Sequence, residues 1–170
     1  MFASTPILSL VAGVLGIMSI SLKVNGFVLN LEPVPVSKDY FRGIVSLKSV
    51  ILGEDHTLHT DAIFPLKDLK RLSEWINEHL HALLEHPNTM SRTWVPLDLT
   101  MEIQLQGGEI YYEDGVVVGD FSVLVMLNIG FDSLTKTRVY SGFASTVNVE
   151  AINEFRACLL NYISSNTSSE

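Results

Sequence analysis

Asn25-Gly26 stands between two alternating apolar segments, Ile20 to Val24 and Phe27 to Leu31. Asn-Gly accepts positive φ at both central positions of a two-residue turn, so the pair predicts a tight hairpin. A tight hairpin imposes antiparallel pairing on its flanks, because a parallel pair needs a crossover of a dozen or more residues. The same punctuation recurs along the chain. Gly107-Gly108 separates the alternating run Leu97 to Leu105 from Glu109 to Tyr112, Asp114-Gly115 turns the chain again, and Asp132-Ser133 precedes the returning segment Lys136 to Val147. Between them Phe121 to Phe131 is apolar enough to be a central strand. In the first half, Pro33 and Pro35 remove backbone donors and end the second strand. Tyr40 to Leu52 and Thr57 to Phe64 read as two further strands around a Gly53-Glu54-Asp55 turn.

Two segments break the strand period. Leu69, Leu72, Trp75, Ile76, Leu80, Leu83 and Leu84 share one face at helical spacing, with Asp68 in the first turn and Pro65 and Pro87 at the two ends. Ile152, Phe155, Leu159, Tyr162 and Ile163 form a second apolar stripe, which Asn148 can cap and whose first turn carries Glu150. The expected fold is therefore α+β: a meandering antiparallel sheet with both amphipathic helices packed on one face. Its expected organisation is an apolar extension over residues 1–17, a single domain over 18–164 and a polar tail over 165–170.

Charge narrows the functions such a domain can serve. Eleven basic against 19 acidic residues leave a net charge of -8. Nucleic-acid binding rests on Lys and Arg displacing counterions from phosphates. The densest basic stretch, Lys67 to Arg71, lies on a helix and contains Asp68, so nucleic acid is disfavoured as a partner. The single cysteine, Cys158, precludes an intramolecular disulfide and suits a reducing, cytoplasmic setting. It sits late in its helix, where the dipole opposes a thiolate, and is expected to be a buried or half-buried apolar residue.

Phe2 to Leu22 carries no charge and approaches the roughly 20 residues a membrane span needs. Three readings compete: an extension ahead of a strand that starts near Met18, a membrane anchor over residues 2–22, and a cleaved signal. The last lacks a Lys or Arg before its apolar run and a clear cleavage site after it.

Chemistry-bearing clusters are sparse. Asp55, His56, His59 and Asp61 are the best metal candidates, but on a strand only His59 and Asp61 share a face. His79, His81 and His86 lack the four-residue spacing of helical metal ligands and are expected on a solvated helix surface. Glu54-Asp55 and Glu113-Asp114 sit beside glycines, where acids more often serve turns than general acid–base catalysis. There is no Gly-rich phosphate loop, no G-x-S-x-G and no C-x-x-C. No catalytic, cofactor or metal residue is assigned. The residues assigned to partner binding are Trp94 and Arg92, types enriched at interface hot spots, together with Glu113 and Asp114. Trp75 is expected in the core.

The stretch "IFPLKDLKRLSEWINEHL", with its Leu69, Leu72 and Trp75 stripe, and the closing "VNVEAINEFRACLLNYI" follow an element order that resembles the WapI-like immunity proteins over about Met18 to Ser164. The long apolar N-terminus departs from that family's short start. The resemblance implies a small intracellular bacterial protein that neutralises a toxin domain by binding it, and it brings no catalytic motif. The expected function is thus non-enzymatic binding of a protein, and the negative charge would steer a basic one. A secretion or assembly chaperone and a small hydrolase or ligand-binding domain with a cleft site are the alternatives.

Overall fold

A computed structural model describes residues 19–52 and 56–167 of the chain. The expected apolar extension, residues 2–18 of the expected 2–22 anchor, the expected turn at Gly53, Glu54 and Asp55, and the last three residues of the tail lie outside the described residues. Among those described, the elements run β1 (Ile20–Lys23), β2 (Phe27–Pro35), β3 (Tyr40–Ser49), β4 (Thr57–Pro65), α1 (Leu66–Glu85), β5 (Met101–Glu113), β6 (Val116–Asp132), β7 (Thr137–Asn148) and α2 (Val149–Thr167). Every strand pairing is antiparallel, and the fold is α+β. No described helix is long and apolar enough to cross a membrane.

The strands divide into two sheets, ordered β1-β2-β3-β4 and β5-β6-β7, rather than one continuous meander. Side chains at the seam account for the division. The β4 edge donates its Ile63 N–H to the Asp98 carboxylate at 2.9 Å, so no strand continues from that position. The outer edge of β5 is taken by the segment that follows α1: Ser91 and Trp94 bond Leu105 and Ile103. Each sheet buries alternate residues, with Leu29, Leu31, Val45 and Leu47 on one and Ile103, Leu105, Val123 and Val125 on the other. α1 packs on β4 and β5, α2 packs on β1, β6 and β7, and the helices touch each other, so one core serves both sheets. Burying Leu69, Leu72, Ile76, Leu80 and Leu83 contributes about 7–15 kcal/mol gross to holding α1. Phe41 lies tilted against Phe64 and edge-on to Tyr162, which fixes the end of α2 to the first sheet.

Three local expectations need correction. Asn25-Gly26 does turn β1 into β2, but neither residue takes positive φ. The turn instead docks on β7, where Gly26 N–H donates to Ser145 Oγ and Asn25 Nδ2 to Thr146 Oγ1, and that docking selects its conformation. Leu97 to Thr100 is not strand. Asp68 accepts from Leu97 N–H, Asp98 accepts from Thr100 N–H, and Leu99 has φ +58°, so side chains hold the backbone away from pairing. Gly107-Gly108 is no turn either. β5 runs through it with an irregularity between Leu105 and Gly108. A Cβ on Gly108 would lie 2.3 Å from the Asp120 carbonyl oxygen, so the glycine permits close strand approach rather than reversal.

Candidate functional site

Asp114-Gly115 is a true two-residue turn, with φ of +50° and +81°, and it lifts the start of β6 and the end of β5 into an arm. Glu113 and Asp114 occupy the tip of that arm, both exposed. The arm meets the body of the sheet at Gly119, whose φ of +114° is a conformation that side-chain-bearing residues avoid. β6 pairs with β7 only from Asp120, opposite Asn148. There β7 stops, because the Asn148 side chain accepts from Ala151 N–H at 2.7 Å and starts α2. Extending the register shows that a longer β7 would have set residues 149–152 against 119–116.

The helix leaves that place open. A groove of about 690 Å³ runs between the arm and α2. Val116, Val117 and Val118 form one wall. Glu150, Asn153, Glu154 and Ala157 form the other, a single exposed stripe at helical spacing opposite the buried stripe of Ile152, Phe155 and Leu159. Among the described residues no Lys or Arg lines the groove. Glu150 and Glu154 stand on its helical side, Asp120 is exposed beside Gly119, and Glu113 and Asp114 close the far end of the arm. The surface is apolar at the strand and anionic at the rim.

Arg92 and Trp94 lie elsewhere, beside α1. Two adjoining depressions of about 280 and 390 Å³ share Trp75, Glu78 and Arg92. Arg71, Glu74, Glu78 and Arg92 mix both signs of charge along them. Trp94 is only 4% exposed and belongs to the core, so its ring offers no open face to a partner. Its indole Nε1–H is buried without an acceptor among the described residues. Trp75 packs against the core as expected, but it is only half-buried and also lines this surface. Arg92 is exposed. The four residues assigned to partner binding therefore form two separate pairs, Arg92 with Trp94 beside α1 and Glu113 with Asp114 at the arm tip.

The histidines also sort differently from expectation. His79 is buried, 5.8 Å from the Phe121 ring, with Nε2 3.3 Å from the Gln106 carbonyl oxygen. Burial holds its pKa below the ordinary value, and the Gln106 contact opposes that only in part. It faces the second sheet because position 79 follows Leu72 and Ile76 by seven and three residues on the inner face of α1. His81 and His86 are exposed. His59 and Asp61 share the outer face of the first sheet, and Asp55 lies outside the described residues. No three His, Cys, Asp or Glu among the described residues are placed to hold a metal ion. Cys158 is half-buried against the core.

Reading the sequence alone missed the groove. A signal was present: Val116-Val117-Val118-Gly119 is an uncharged run just past a hairpin turn, and Glu150, Asn153, Glu154 and Ala157 repeat at i, i+3, i+4 and i+7. What could not be seen was the register that sets one against the other. Comparison with known proteins gives no matching family model and no matching curated protein.

Proposed function

We propose that this is a non-enzymatic binding domain that receives a basic protein partner in the groove between the β5–β6 arm and α2. The observation that carries the reading is the pairing of a valine wall with Glu150 and Glu154 on the opposing helix, in a groove that no cation among the described residues lines. Apolar area supplies affinity on association, while complementary charge raises the encounter rate and rejects acidic competitors. The net charge of -8 extends that bias over the molecule. Inhibition of a basic toxin domain is the specific form of this function implied by the resemblance to the WapI-like immunity proteins that Leu69, Leu72 and Trp75 help to carry. In that form the domain acts by occupying its partner's working surface.

Affinity capture from source cells tests the reading, with the wild-type chain and the Glu150→Lys/Glu154→Lys double variant compared side by side. Both positions are exposed, so the variant should fold, with its melt lowered by only a few degrees through the charge reversal in the first turn of α2. The expected result is a basic protein retained by the wild type and lost from the variant, with the loss diminishing in high salt. Equal retention by both chains would place the binding surface elsewhere.

A further inference from the structure

We infer that the groove takes its partner as an added β-strand: an extended cationic segment pairs with the free edge of β6 at Val116–Gly119 and lies beside α2. This rests on the reading of the groove as the binding site and specifies how it is filled. Across the two-residue turn, Glu113 pairs with Val116, so antiparallel alternation directs the N–H and C=O groups of Val117 and Gly119 away from β5. Neither residue has a main-chain bond outside the hairpin among the described residues. Those groups face the space that β7 vacates when Asn148 turns the chain into α2.

Several other edge positions are already engaged or lack a donor among the described residues. Pro33 and Pro35 carry no N–H on β2 where it outruns β1, Asp98 occupies the Ile63 N–H of β4, and Ser91 and Trp94 cover part of β5. β7 is engaged at Thr146 by Asn25 and bears the exposed Arg138. The Val116–Gly119 edge has no proline and no charge, and among the described residues no other element bonds the main chain of Val117 or Gly119, a condition under which an edge accepts another strand.

Dimensions and charge define the occupant. Four strand residues span about 13 Å. The α2 stripe from Glu150 to Ala157 spans about 10 Å. The groove therefore fits three or four residues of extended chain. Side chains on the inner face of the incoming strand meet that stripe, where a Lys or Arg lays its stem along Val117 and Ala157 and its charge near Glu150 or Glu154. An acidic or neutral segment leaves both carboxylates unpaired at a closing interface.

The test uses the full chain and three synthetic octapeptides: alternating Lys-Val, alternating Glu-Val, and Lys-Val with alternate backbone nitrogens methylated. Binding is followed by amide chemical shifts and hydrogen exchange. The expected result is Lys-Val binding with new protection of the Val117 and Gly119 amides. The methylated peptide should bind about tenfold more weakly, as loss of one or two main-chain hydrogen bonds requires. The Glu-Val peptide should be weaker still. A Val117→Pro variant removes an outward N–H that β5 does not use, so it should fold and lose Lys-Val binding by a similar factor. Should that variant fail to fold, the methylated peptide carries the same information.

Lys-Val binding that is indifferent to methylation overturns strand addition and leaves the groove reading intact. Failure of Lys-Val to bind, while protein capture still depends on Glu150 and Glu154, has the same consequence. Concentration-dependent protection of Val117 and Gly119 without peptide identifies a second copy of the chain as the occupant and overturns the cationic assignment.

Discussion

Removing the Asp68 carboxylate should be among the most costly single changes to this domain. The side chain is fully buried at the start of α1, where Oδ2 accepts from Leu97 N–H at 2.8 Å and Oδ1 from Arg71 Nη1 at 2.9 Å. It thereby ties the helix to the segment that crosses between the sheets. Asp68→Ala loses a charge-assisted bond and leaves the Leu97 N–H without its acceptor, together about 2–4 kcal/mol. A further few tenths to about 1 kcal/mol goes with the negative charge at the helix N-terminus. The Arg71 contact adds little, because that guanidinium is 59% exposed. Asp68→Asn retains an oxygen for Leu97 and should cost only about 1 kcal/mol. Urea unfolding followed by circular dichroism reads the difference, with the Ala midpoint about 1–2 M below wild type at the slope usual for domains of this size. Hydrogen exchange should show the Leu97 amide opening in Ala and staying protected in Asn. An Ala variant within about 0.5 kcal/mol of wild type, the range of ordinary surface substitutions, or equal losses for Ala and Asn, would refute this account of how the crossing segment is held.

Leu72→Asp places a carboxylate at a fully buried site on α1 and should abolish the cooperative melt; unfolding at the wild-type temperature would contradict the packing of α1 onto both sheets. Gly119→Ala forces a Cβ within 2.1 Å of the Glu109 carbonyl oxygen at φ +114°, and a strain of about 1–3 kcal/mol should lower the thermal midpoint by about 5 °C. An unchanged midpoint would show that the arm does not bend as described. His79 supplies a pH dependence. Its folded pKa lies below the ordinary 6.5, so the unfolded chain binds the proton more readily, and stability should fall as pH drops below about 6.5. His79→Gln should flatten the stability profile between pH 7 and 5, and an unchanged slope would assign that dependence to other groups.

Periodicity was a good guide wherever a single element decides its own conformation. The α1 stripe, the Asn148 cap, the Asp114-Gly115 turn and the central position of β6 all follow from local spacing and turn chemistry. It misled where another element intervenes. Leu97 and Leu99 alternate with polar residues like a strand, yet Asp68, some 30 positions earlier, competes for that backbone. Gly107-Gly108 has the composition of a turn and the role of a spacer, since only the opposing Asp120 and Phe121 show how little room there is. His79 is polar by type but lies on the face α1 turns to Phe121. Of the proposed site, the sequence shows Glu113 and Asp114 as adjacent acids beside a turn glycine. The groove they border depends on where β7 stops relative to β6, a relation between residues some 30 apart that local spacing does not encode.

Site-specific photocrosslinking in source cells asks most directly where the partner sits. A benzoylphenylalanine replaces Ala157, which faces the groove from an exposed position on α2, and in parallel replaces Ile44 on the outer face of the first sheet and Arg92 beside α1. The groove account predicts one basic protein joined through position 157 and absent from adducts at 44 and 92. The same protein joined through position 44 or 92, with none through 157, would contradict it.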